Sequence, residues 1–243
     1  MAKLKVPSVI HLARNWRSDE VGVKDALITL ANGSPPFSYS QLLGMLRSMI
    51  SVKSSLAEMD LLINRGVRHE LARKSYLEIV PLLSSHFSAL NTTFVQEVSA
   101  RAYPLSRHLR VPFEPPMIFG ANGKVHLPIF IFWRKNPLTD DQLGLLASLV
   151  RELIAQDPDL DLTSTTILDF SVPKGEKERS LREVPLSDIP ELSVSRRDEM
   201  LAIFAAGYEL ARDELEGRLG DSSNQRNAPS VSDDDGQHDL FLD

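Results

Sequence analysis

The chain has 243 residues, is 42% hydrophobic and contains no cysteine, so it can fill a core but can build neither a disulfide framework nor thiolate metal ligation. No eighteen apolar residues run uninterrupted, and no apolar stretch of signal-peptide length follows Met1 to Pro7, which predicts a soluble, cytoplasmic protein with no membrane span. The formal net charge of -6 is carried mostly by Asp221, Asp233, Asp234, Asp235, Asp239 and Asp243 against Arg226, leaving a near-neutral body without the basic excess of a protein that coats nucleic acid.

Taken in order, the residues predict an α/β (α+β) protein. The first part, residues 1–66, reads as mainly helical. Val9, Ile10, Leu12 and Trp16 among basic residues suit a short helix after Pro7, and Arg14, Trp16 and Arg17 are the candidates for contact with nucleic acid. The arginines would meet phosphate and the ring a base; the competing arrangement is an edge aromatic covered by arginine stems. Ala26 to Ala31 is halted by Asn32-Gly33-Ser34-Pro35-Pro36. Leu42, Leu43, Leu46, Met49 and Ile50 then recur at helical steps behind a Ser38 or Ser40 cap, and a further helix runs from Leu56 to a stop at Asn64-Arg65-Gly66.

Residues 67–220 read as the α/β body. A helical pattern spans Glu70 to Ala102, with Pro81 and Asn91-Thr92-Thr93 expected to kink or divide it, and His86 on its apolar face as a core histidine. After an extended stretch at Leu109 to Pro112, Met117 to Gly120 and Val125 to Trp133 form a hairpin around Asn122-Gly123, the pair that most readily takes positive φ at both central positions. The second strand is apolar almost without alternation, as for a strand covered on both faces, and Pro128 within it calls for a bulge or a position whose N–H is not needed.

Thr139 caps a helix with its stripe at Leu143, Leu146, Leu149, Val150 and Leu153, and Thr163 to Ser171 is a β-branched strand. Pro173 to Arg179 reads as a solvated charged loop, Ser180 to Pro190 as a short edge strand, and Ser195 opens a last helix stopped by Gly220. Residues 221–243 form an acidic, polar tail predicted to be disordered.

Catalytic signatures are missing. The sequence holds no phosphate-binding Gly-rich loop, no His-Glu-x-x-His and no Gly-x-Ser-x-Gly, and the histidines have no metal-ligand spacing, so neither cofactor nor metal is expected and the reading leans away from an enzyme. Asp169, at a predicted strand end, is the residue an enzymologist would notice, but a lone aspartate there is more often a cap or an ion-pair partner.

The order from Glu70 to Ser171, helix, extended segment, hairpin, helix and strand, is similar to the core of the restriction-endonuclease-like superfamily. That resemblance implies an acid near the start of one hairpin strand and an acid-x-Lys on the next, holding a divalent metal. Pro116 to Phe119 and Ile129 to Lys135 carry no such acids; Glu114 lies before them and Lys135 stands without a carboxylate two residues earlier. The resemblance therefore implies a degenerate, non-cleaving version.

At the end of the tail, three apolar residues follow a long polar stretch. Gln237-His238-Asp239-Leu240-Phe241 resembles the peptide by which bacterial polymerases and repair proteins dock on the ring-shaped sliding clamp, Gln-x-Ser/Asp-Leu-Phe. The resemblance implies that Leu240 and Phe241, followed by Leu242, fill an apolar pocket, that Gln237 bonds at its rim, and that Asp239 takes the usual Ser or Asp position. His238 departs from the more frequent Leu. The reading is a non-catalytic protein of DNA replication, repair or a mobile element that reaches DNA indirectly through the clamp. The alternatives are a nuclease-like enzyme recruited by the clamp, or a protein-interaction module whose tail binds a different partner.

Overall fold

The computed structural model describes residues 4–33, 37–138 and 140–226, with side chains described through residue 218. Its elements are α1 (Val9–Asn15), α2 (Glu20–Asn32), α3 (Ser40–Val52), α4 (Leu56–Gly66), α5 (Glu70–Ala89), β1 (Thr92–Gln96), β2 (Arg101–Pro104), β3 (Arg110–Phe113), β4 (Ile118–Ala121), β5 (Lys124–Ile131), α6 (Asp140–Ala155), β6 (Ser164–Asp169), β7 (Arg182–Pro185) and α7 (Val194–Arg226). The fold is α+β around a mixed sheet of order β1-β4-β5-β6-β7, beside a separate β2-β3 pair. Only β5 and β6 run parallel, joined through α6; β1-β4, β4-β5 and β6-β7 are antiparallel.

The continuous apolar run of β5 sorts onto two faces because successive side chains point opposite ways. Leu127, Ile129 and Ile131 enter one core with residues of α1, α2, α6 and α7 and of the β2-β3 pair. Phe130 and Phe132 turn to a second core with residues of α3, α4 and α5. Residues 1–66 are thus divided between both layers. The hairpin turn is as expected, with Asn122 at φ 52° and Gly123 at φ 74°. Pairing of β4 with β5 ends at His126, while β6 pairs unbroken past Pro128, so the proline sits where β5 has a neighbour on one side only and no bulge is needed.

Three expectations are corrected. The helix from Glu70 passes through Pro81 but ends at Ala89, and the residues expected to continue it to Ala102 form β1 and β2. Thr92, Phe94 and Val95 are β-branched or aromatic and pair with β4, and this pairing outweighs the apparent helical spacing. Phe94 lies across Gly120, where an added Cβ would come within 2.4 Å of the ring, so this glycine admits the ring and the irregular register beside it. Gly220 does not stop the last helix, which runs to Arg226; one interior glycine costs about 1 kcal/mol and a long helix absorbs it. The charged loop ending at Arg179 is not wholly solvated, since the Arg179 side chain is buried.

Candidate functional site

In an open sheet with parallel strands, the place to look for a site is the crevice beyond their carboxyl ends. Here that is the region past β5 and β6. Asp169, the last residue of β6, is 3% exposed and faces Arg182 of β7 in register. Its Oδ2 accepts from Arg182 at 3.0 Å and from Asn136 Nδ2 at 2.9 Å, and its Oδ1 accepts from the Ser171 N–H at 3.0 Å. The carboxylate is engaged on both oxygens, as expected of an ion-pair partner and cap.

The crevice itself is filled by Arg179. Its side chain is 3% exposed and donates to the carbonyls of Phe132 at 3.0 Å and Phe170 at 2.9 Å, the residues that carry β5 and β6 beyond their ends. It also reaches Ser75 Oγ at 3.2 Å and Glu78 at 3.0 Å. Tyr39 OH donates to the Phe132 carbonyl as well, at 2.9 Å. Strand-end carbonyls that leave the sheet need donors, which explains why an arginine from a charged loop turns inward. The loop's composition did not signal this.

On the opposite layer, α1 brings His11 and Arg14 against Trp133, with the guanidinium carbon 4.6 Å from the ring centroid and the imidazole centroid 5.5 Å away. Burial, followed by the Arg14 charge, holds the His11 pKa below its ordinary value, and burial followed by Arg17 lowers that of Arg14. Trp16, a candidate for base stacking, is 6% exposed. Its Nε1 donates to the Met200 carbonyl at 3.1 Å, and Arg196 stands 5.5 Å over the ring. It is the covered aromatic of the competing reading. Arg17 is exposed and donates to the carbonyls of Trp16 and Arg14. The three residues therefore adjoin one another but present no open aromatic face.

The hairpin positions of the endonuclease-like resemblance are packed in the cores: Phe119 is 3% exposed, Ile129 7% and Ile131 1%. Glu114 and Lys135 are exposed. Among the described residues, no group of three or more His, Asp or Glu side chains could hold a metal.

Comparison with family models, curated proteins and solved structures found no match. Gln237, Asp239, Leu240, Phe241 and Leu242 lie outside the described residues.

One surface went unremarked in the sequence. Between α4 and α5 only Val67, Arg68 and His69 intervene, and Arg65, Arg68 and Lys74 are exposed with Arg73 partly so. The available signal was four cations within ten residues straddling a helix stop and a helix start.

Proposed function

We propose that this protein docks on the bacterial sliding clamp through its terminal peptide and serves DNA replication, repair or a mobile element without cutting DNA itself. The observation that carries this reading is the run Gln237-His238-Asp239-Leu240-Phe241, with Leu242 extending its apolar end. Three apolar side chains on a polar segment gain little by themselves and gain much in a pocket. A single peptide of this size binds with around micromolar Kd, so several tails on one ring or a second contact from the body would prolong residence.

Two features of the body support the reading. Leu215 is the last buried side chain of α7 through residue 218, and the helix continues to Arg226, a further rise of about 16 Å. The segment bearing the peptide follows this helix in the sequence. The apolar residues at Ile118, Phe119, Ile129 and Ile131 also suit a body of the element order α5, β4, β5, α6, β6 that has no metal-holding carboxylates on its hairpin.

The test is retention of purified clamp by the full chain and by a chain lacking residues 237–243. Capture by the first and loss with the second is expected. Equal capture by both, or none by either, refutes the docking. Metal-dependent DNA cleavage abolished by Glu114→Gln or Asp169→Asn would instead favour a nuclease recruited by the clamp.

A further inference from the structure

The surface joining α4 to α5 differs in character from the terminal peptide. The two helices pack on each other, and Met59 and Ile63 of the first, Val67 of the connection and Ala72, Tyr76 and Ile79 of the second lie in one buried cluster. With only three residues between them, the pair has the short connection of a helix-turn-helix, and the N-terminal turns of the second helix stand at the surface. His69 caps α5, its Nδ1 accepting from the Ala72 N–H.

The charge on this surface is predominantly positive. From Arg65 to Lys74 there are Arg65, Arg68, Arg73 and Lys74 against Glu70 alone, in a body whose charge is near neutral as a whole. Among the described residues, no carboxylate or other side-chain partner engages these four cations. By contrast, Arg101, Arg134, Arg182, Arg196 and Arg197 each have a carboxylate, while the exposed Arg107 and Arg110 form no ion pair among the described residues. Arg73 and Lys74 border a shallow surface depression on α5 together with Glu70, Leu77 and Glu78, at the end of the strip. Unpaired cations on a rigid helical pair suit a partner with regularly spaced negative charge.

The geometry points to double-stranded DNA as that partner, held through its phosphates by Arg65, Arg68, Arg73 and Lys74 with the start of α5 facing the major groove. A helix enters the wide major groove of B-form DNA, whereas the deep, narrow major groove of duplex RNA excludes it. This contact does not depend on the terminal peptide. It goes beyond clamp docking by placing the body itself on the duplex.

The test is fluorescence anisotropy of a labelled DNA duplex with the full chain at salt from about 50 to 200 mM. The same-sequence RNA duplex and anionic lipid vesicles serve as comparators. Each phosphate contact contributes about -0.9 to the slope of log K against log salt. The double variant Arg73→Ala/Lys74→Ala should therefore flatten the slope by about 2 and weaken binding about 10- to 100-fold at the lower salt. Arg65→Gln/Arg68→Gln should act in the same direction, and the exposed Arg107→Ala should change nothing. The chain lacking residues 237–243 should bind duplex DNA unchanged, which separates this contact from the clamp reading. Failure of the intact protein to bind duplex DNA, an unchanged slope in both double variants with native circular dichroism, or equal or tighter binding to RNA duplex or vesicles would overturn the assignment.

Discussion

Arg179 and Glu78 meet at 3.0 Å with the arginine side chain 3% exposed, and this pair closes the carboxyl end of the parallel strands from within. Glu78 is shared with Arg134 at 2.6 Å, so a helix, the segment after β5 and the segment after β6 are tied at one carboxylate. Breaking such a pair from one side is costly because the remaining groups keep their desolvation without their partners. Arg179→Met should lower stability by about 3–5 kcal/mol, read as a fall in the urea midpoint with little change in slope. Arg179→Lys should recover little of it, since one ammonium cannot reach the carbonyls of Phe132 and Phe170 together with Glu78. A full recovery by lysine would show that charge alone matters here.

Asp169 serves as a fastener in this geometry. Asp169→Ala should cost about 2–4 kcal/mol by leaving the Asn136 amide, the Ser171 N–H and Arg182 without their acceptor. Thermal melts would measure it. Clamp capture by the folded variant should be unaltered, and a loss of capture at full stability would contradict a purely structural role.

The crossing of α2 and α7 depends on a missing side chain. A Cβ at Gly207 would stand 2.6 Å from the Val23 Cβ and 2.7 Å from the Glu20 carbonyl oxygen, and neither is a flexible side-chain end. Gly207→Ala should therefore destabilise by about 1–3 kcal/mol. Gly217→Ala, in the same helix with nothing within 4 Å of its added Cβ, should stabilise by about 0.5–1 kcal/mol. Chemical denaturation of the two variants side by side gives opposite signs if the helices are packed this closely.

His11 gives the fold an acid sensitivity. Burial holds its folded-state pKa below the ordinary 6.5, so in the interval between the two values the unfolded chain binds more protons than the folded one. Stability should fall as pH drops below 6.5 and level off once pH is under the lowered folded-state value. His11→Leu should reduce this loss, compared as the change in melting temperature between about pH 8 and about pH 5 in the two proteins. Equal acid sensitivity in both would place its origin in other groups.

Local chemistry alone determined several elements of this protein. Asn122-Gly123 set the hairpin because those residues tolerate positive φ. The apolar run of β5 announced a strand buried on both sides, and the stripe of α6 announced its helix. These are short-range or periodic properties, legible without knowing what lies opposite. The resemblance of the terminal peptide to a clamp-docking motif is likewise a matter of sequence, since it rests on residue types and their order alone.

The tertiary structure decided what depends on distant partners. Thr92 to Gln96 became a strand because β4 offers it a ladder, and Phe94 could settle only where Gly120 leaves room. Trp16 went into the core because α7 covers it, and Arg179 left its charged loop because strand-end carbonyls across the fold needed donors. The cations from Arg65 to Lys74 show the same dependence. Their number is evident in the sequence, but that Arg65, Arg68 and Lys74 are exposed and form no ion pair among the described residues follows only from how α4 and α5 pack.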